Sequence, residues 1–347
     1  MIYKYNSFAG SVLAVLLMPV TVLYYLVVMI RHLSYDTGLF SSYRSKTFTV
    51  SVGNIAAGGT GKTPVVTAIT EALKQNGRKT AVITRGYGRN SKGRVIVDKN
   101  TSAAVSGDEP LTIFNKTGSS VICDADRSGA VKEFESGYDA FVLDDAFQHR
   151  KIQKHLNIVL IDHDRFLGNR LLLPSGILRD PPSRLKKCDL IILTKIPDPE
   201  NDSVQKKIGV LKRYGKPVVL SQIRYTKISN GTSEAPVEDL RNKRISAFCG
   251  IAEPEPFFKF FNGLDLVKKI RFKDHCRYGM EFESVLQEMK SGSDIIITTY
   301  KDHVKLTEDQ IIRYNVWYLD IDLVFLDESL KIINTFDLIK GWIRAEK

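Results

Sequence analysis

The chain has 347 residues, 43% of them hydrophobic and 26% charged, the balance of a globular protein; disorder, collagen and fibre are excluded. At roughly 150 residues per domain the length predicts about two domains. Fifty Lys and Arg against 39 Asp and Glu leave a net charge of +11, which points to an anionic partner: nucleic acid, a phosphorylated ligand or an acidic membrane. Four cysteines stand far apart with no CxxC pair, so a zinc ribbon and a disulfide scaffold are disfavoured and a reducing compartment is the simplest reading.

From Ser11 to Ile30 the chain reads SVLAVLLMPVTVLYYLVVMI, without a charge. As a helix this segment is long enough to cross about 30 Å of hydrocarbon. Pro19 kinks it, which a lipid-embedded helix accepts. The run is too long for a secretory signal and no A-x-A-like cleavage site follows it. Arg31, Arg44 and Lys46 come after the helix, against Lys4 before it, so the large C-terminal part is expected on the cytoplasmic side.

After Lys46 the pattern is strand, turn, helix, repeated. Segments 47–55, 79–88, 138–147, 156–164, 188–195 and 216–225 read as buried strands, and 63–77 as an amphipathic helix closed by Gly77. Continuous Val, Ile and Leu runs alternating with helices predict a parallel sheet covered on both faces. Residues 226–240 are polar, with Gly and Pro, and read as a linker. Segment 245–257 reads as strand, glycine turn and helix, and 293–303 and 315–326 read as two more strands, which predicts a second, smaller α/β unit. The expected division is a membrane helix and flank over 1–36, a nucleotide-binding domain over 37–225, the linker over 226–240 and a C-terminal domain over 241–347.

The sharpest local signal is GNIAAGGTGKTP, Gly53 to Pro64. Gly58, Gly59 and Gly61, with Thr60 between them, let successive backbone N–H groups turn toward a phosphate. Lys62 is placed to reach the β- and γ-phosphates and Thr63 to ligate Mg²⁺, at the N-terminus of the following helix. The strict P-loop pattern asks for Gly where this chain has Ala56. A second apolar strand ends in Asp144-Asp145, the position at which P-loop proteins hold Mg²⁺.

A P-loop names a nucleotide and no substrate. The guanine signature NKxD is absent, and TKIPDPE (194–200) imitates it only weakly. Other dense polar clusters are TRGYGR (84–89), GDEP (107–110) with Asp108 and Glu109, CDADR (123–127) ending in Arg127, the Arg179-Asp180 turn, FKDH (272–275) with His275, and YKDHVKL (300–306). Several follow strands, and loops at the carboxyl ends of parallel strands line the binding crevice.

Taken in order along nearly the whole chain, the N-terminal helix, GNIAAGGTGKTP, TRGYGR, GDEP, DDAFQHR, LPSGILRDP, FKDH and YKDHVKL resemble the tetraacyldisaccharide 4′-kinases, the lipid A 4′-kinases of Gram-negative bacteria. The resemblance implies a P-loop α/β fold with a transmembrane helix, ATP and Mg²⁺ as cofactors, and transfer of the γ-phosphate to the 4′-hydroxyl of tetraacyldisaccharide 1-phosphate. The product is lipid IVA, made at the cytoplasmic face of the inner membrane. It implies a lipid substrate and the membrane surface as partners, with no nucleic acid and no obligate protein partner. It also assigns roles: Lys62 on the β/γ-phosphates, Thr63, Asp144, Asp145 and Glu109 about the metal, and Asp108 as acceptor of the sugar hydroxyl proton. His275 assists that aspartate, and Arg127 and Arg179 neutralise the transferring phosphoryl group or bind the substrate phosphate. The chain departs from the family at Asp180, where LRE is usual, and at Cys276 and Arg277, which follow the histidine. The rival readings are a P-loop kinase for another membrane lipid and a membrane-tethered nucleotide switch.

Overall fold

The computed structural model describes residues 8–343, apart from 252, 275, 277 and 279–281. His275 lies outside the described residues.

The N-terminal apolar run forms two helices where one was expected: α1 (Phe8–Leu16) and α2 (Met18–Asp36), the second running six residues past the apolar segment. The break falls at Leu17, and Pro19 takes the first turn of α2. Proline suits that turn because it has no N–H to offer the helix interior and its φ is already helical. Among the described residues α2 is the one helix long and apolar enough to cross a membrane by length and composition.

The α/β body follows in chain order: β1 (Phe48–Asn54), α3 (Lys62–Gln75), β2 (Thr80–Thr84), α4 (Asp108–Thr117), β3 (Ser120–Cys123), α5 (Arg127–Phe134), β4 (Ala140–Asp144), β5 (Leu156–Asp162), β6 (Leu190–Thr194), α6 (Asp202–Lys212) and β7 (Val218–Ser229). Then come β8 (Ile245–Cys249), β9 (Leu266–Arg271), α7 (Phe282–Ser291), β10 (Ile295–Thr299), β11 (Val316–Leu326) and α8 (Thr335–Ile343).

Two compact units are built from these. The first comprises residues 1–85, 119–222 and 324–347. Its sheet runs β7-β6-β5-β1-β4-β2-β3 with every neighbouring pair parallel. Residues of β1, β2 and β4 are all buried, as expected of a parallel sheet covered on both faces. Val65, Val66, Ile69 and Leu73 of α3 close one face of this core.

The second unit comprises residues 86–118 and 223–323. Its parallel strands run β9-β8-β10-β11. Phe248 is fully buried and makes edge contacts with Phe272, Tyr278 and Phe282.

The expected boundaries are therefore corrected. Residues 86–118 leave the first unit for the second. Residues 324–347 return to the first, where α8 buries Leu338, Ile339 and Ile343 and packs on α3. The polar stretch 226–240 is no linker: it holds the end of β7 and a short strand, Glu234–Pro236, paired antiparallel to it. The Gly and Ser between them form the hairpin tip, whose composition imitates that of a linker.

Candidate active site

The phosphate loop leaves β1 at Asn54 and enters α3 through Gly61, which holds φ at +80° in the left-handed region. The loop is strapped from inside. Asn54 Nδ2 donates to Thr60 Oγ1 at 2.8 Å, Thr194 Oγ1 donates to the Thr60 carbonyl at 2.9 Å, and Lys195 Nζ donates to the Gly59 carbonyl at 2.7 Å. Lys195 also pairs with Asp162 at 2.7 Å. The Thr-Lys pair that resembled a base-recognition signature thus ties the phosphate loop to the ends of β5 and β6. At Gly58 a side chain would collide with the Arg165 guanidinium. Ala56 is buried and bridges to Leu178 in extended backbone, so the position that the strict pattern gives to glycine has no need of one here.

β1 and β4 are parallel neighbours with Val52 opposite Asp144, so the acidic strand end lies beside the start of the phosphate loop. Asp144 is buried and accepts a hydrogen bond from Thr84 Oγ1 at 3.2 Å. Asp145 sits at φ +46°, a conformation a non-glycine residue holds only under constraint. The constraint is visible. Arg179 meets both carboxylate oxygens with its two terminal nitrogens, at 2.9 and 2.8 Å, and also donates to Asn54 Oδ1. Lys62 Nζ stands 3.9 Å from Asp145. Arg127 Nη1 donates to the Asp144 and Asp145 carbonyls at 2.8 and 2.9 Å. Burial alone would raise the Asp145 carboxyl, but the Arg179 hydrogen bonds and the charges of Lys62, Arg179 and Arg127 outweigh it and hold it at about 2.

Gln148 bridges the Asn54 carbonyl and Asp180, both at 2.8 Å. His149 is pushed down to about 3 by burial and then by Arg127 and Lys154, so its ring is neutral at pH 7. Asp180 turns to α2: its Oδ1 lies 2.7 Å from His32 Nε2, both side chains being buried.

In the second unit Asp108 and Glu109 open α4. Gly107 ahead of them holds φ at +94°, and a Cβ there would come within 2.7 Å of the Tyr87 carbonyl. Lys305, in the YKDHVKL segment and not among the site residues expected from sequence, places Nζ 3.4 Å from Asp108 Oδ2 and 3.1 Å from Asp302 Oδ1. Asp302 is fully buried and accepts from the Gly250 N–H and from Thr299 Oγ1, each at 2.8 Å. A buried carboxylate thereby anchors the cation that faces Asp108.

The expected residues divide between the units. Lys62, Thr63, Asp144, Asp145, Arg127, Arg179 and the loop glycines lie together in the first; Asp108 and Glu109 lie in the second with Lys305. Among the described residues no three His, Cys, Asp or Glu side chains form a metal cage. The Thr63 hydroxyl and the Asp144 carboxylate are hard oxygen donors of the kind Mg²⁺ takes alongside phosphate oxygens and water.

A phosphate loop between a buried parallel strand and a helix, with paired carboxylates ending the next strand, defines a P-loop nucleotide-binding α/β protein. The family model described as LpxK, tetraacyldisaccharide-1-P 4′-kinase, matches residues 13–336. The tetraacyldisaccharide 4′-kinase of Geobacter metallireducens is 36% identical over 308 residues, covering 85% of this chain and 88% of that protein. That of Haemophilus influenzae is 32% identical over 346 residues, covering 98% and 96%. The crystal structure of Aquifex aeolicus LpxK in complex with ATP superposes with a TM-score of 0.76 at 27% identity, covering 96% of this chain and 99% of that one. The chain belongs to the tetraacyldisaccharide 4′-kinase family.

Proposed function

We propose that this chain transfers the γ-phosphate of ATP to the 4′-hydroxyl of tetraacyldisaccharide 1-phosphate, yielding lipid IVA, at the cytoplasmic face of the inner membrane. The carrying observation is the Lys62–Asp145–Arg179 cluster at the mouth of a phosphate loop, in a chain that matches the family from residue 13 to 336.

Phosphoryl transfer asks for positioning and charge neutralisation. The N–H groups of residues 58–63 receive the phosphates at the N-terminus of α3. Lys62 neutralises the β- and γ-phosphate oxygens, and Asp145, held anionic, keeps its ammonium directed. Arg179 and Arg127 brace that carboxylate and its backbone, and their charge faces the transferring group. Because both Asp145 oxygens are engaged by Arg179, Thr63 and Asp144 are the residues that would hold Mg²⁺, which would supply charge neutralisation at the phosphates. Asp108 takes the proton of the sugar hydroxyl as the O–P bond forms. Lys305 keeps Asp108 oriented, and Glu109 lies at the same helix start. The apolar face of α2 keeps the enzyme with a substrate that never leaves the bilayer.

The test is transfer of labelled γ-phosphate from ATP to tetraacyldisaccharide 1-phosphate in mixed micelles. Wild type should transfer. Lys62→Ala and Asp108→Ala should each fall by about two to four orders of magnitude, with ATP binding retained in Asp108→Ala. Tight Mg²⁺-ATP binding without transfer would reject this acceptor.

A further inference from the structure

A basic cavity of about 320 Å³ lies in the first unit at the last turn of α2, within the size range of small-ligand sites. Arg150, Lys154, Arg184 and Lys187 line it, with Asp36 as the one carboxylate among the lining residues. Four cations face one anion. Asp36 is shared by Arg150 at 2.6 Å and Arg184 at 3.1 Å, and Arg150 Nη1 also caps the His32 carbonyl at 2.9 Å. Lys154 has the His149 carbonyl at 2.5 Å and no carboxylate; Lys187 is exposed at the rim; Arg184 Nε is buried without a hydrogen-bond partner. Burial, and after it repulsion from Arg127, Arg150 and Arg31, pushes the Lys154 ammonium down to about 7.

The cavity's place on the helix says which anion suits it. The exposed apolar residues of α2 continue to Ile30 and Leu33, and Leu39 and Phe40 are exposed just beyond the helix. Acyl chains packed along that face would bring a phosphate to the level of the last helical turn, where Asp36, Arg150 and Lys154 sit. Basic pockets beside membrane helices take anionic headgroups by this geometry.

We propose that this cavity binds the phosphate of an anionic membrane phospholipid, Lys154 and Lys187 supplying the charge that Asp36 does not balance. The inference rests on the reading that α2 lies in the bilayer.

Flotation of the full chain with vesicles separates the two. In phosphatidylcholine alone, wild type and all variants should bind alike through α2; absence of binding by any of them would reject the membrane reading itself. In equal parts phosphatidylcholine and phosphatidylglycerol, wild type should bind more tightly. The double variant Lys154→Met/Lys187→Gln should lose roughly tenfold to thirtyfold of that gain. Lys154→Arg/Lys187→Arg should keep it, which also answers for folding. Lys206→Gln/Lys243→Gln removes the same two charges from exposed positions outside the cavity and should lose far less. Equal losses in the two charge-removing variants would mean a diffuse basic surface and overturn the proposal. So would an unchanged phosphatidylglycerol gain in Lys154→Met/Lys187→Gln, accompanied by a raised KM for the 1-phosphorylated acceptor in neutral micelles, since that pair of results assigns the cavity to the acceptor's own phosphate.

Discussion

Arg179 meets both oxygens of Asp145 with both terminal nitrogens of its guanidinium, a planar fork that no other side chain reproduces. Arg179→Lys keeps the charge and loses one of the two bonds. Transfer should fall about tenfold to a hundredfold in kcat with a smaller change in KM for ATP, measured by steady-state kinetics; wild-type kcat would refute the positioning role. Lys154 makes the opposite kind of statement, because its environment works against its charge. Its folded value of about 7 lies below the unfolded value of 10.5, so the unfolded chain binds more protons between those limits. The native-state penalty is therefore fully present below about pH 7 and vanishes as pH rises toward 10.5. Lys154→Met should raise the unfolding free energy measured in urea at neutral pH, by about 1–2 kcal/mol after discounting for solvent at this half-buried position, with the gain shrinking toward about pH 10. A gain independent of pH would show that packing, and not charge, is responsible. Lys62, Asp145 and Arg179 were legible in the sequence because each sits in a short motif whose neighbours share its task. Lys305 beside Asp108, and His32 beside Asp180, were not. Those contacts join distant parts of the chain, and no local spacing encodes them.

At the scale of elements, α2 reverses the usual order of a helix on a protein. Thr21, His32 and Ser34 face inward and are buried, while Val20, Leu23, Leu26, Val27, Ile30 and Leu33 are exposed. Water would punish this arrangement and lipid rewards it. The inward groups act as teeth: Thr21 Oγ1 donates to Ser175 Oγ at 2.7 Å, the Tyr24 hydroxyl donates to the Arg179 carbonyl at 3.1 Å, and His32 meets Asp180. Asp180 in turn accepts from Gln148, which reaches the start of the phosphate loop at the Asn54 carbonyl. Burial raises the Asp180 carboxyl, but the His32 hydrogen bond leads the effects that bring it below the ordinary range. Asp180 is thus engaged by His32 of α2 and by Gln148. His32→Ala should destabilise the docked helix by about 2 kcal/mol and speed amide exchange in its last two turns. His32→Gln, which can still donate to Asp180, should recover part of the loss. Unchanged exchange in His32→Ala would mean that α2 is held by packing alone. The apolar stretch was plain from composition, but the sequence does not print which of its few polar residues turn inward. The misplaced boundary at residues 86–118 has a similar origin: a segment that leaves one unit and returns carries no change of composition where it crosses.

Over the whole molecule, the residues proposed for chemistry and the helix proposed for attachment belong to different elements. The phosphate loop precedes α3, the carboxylate expected to accept the proton opens α4 in the second unit, and α2 is the helix proposed to meet the bilayer. If attachment serves only to bring enzyme and lipid together, it should be removable without touching the chemical step. Val27 lies near the middle of α2 and is 57% exposed. A charge at the centre of a lipid-facing helix costs about 2.5–3.5 kcal/mol, so Val27→Asp should weaken partition into vesicles by roughly a hundredfold. In mixed micelles, where detergent carries the acceptor to the enzyme, kcat should hold, because Val27 lies on the exposed face of α2. On vesicles, where acceptor and enzyme meet in two dimensions, transfer at low enzyme concentration should fall with the bound fraction. Loss of kcat in micelles would mean instead that lipid contact along α2 sets the geometry of the phosphate site, through Tyr24 and Arg179 or through His32 and Asp180. Partition equal to wild type would remove α2 as the membrane element altogether.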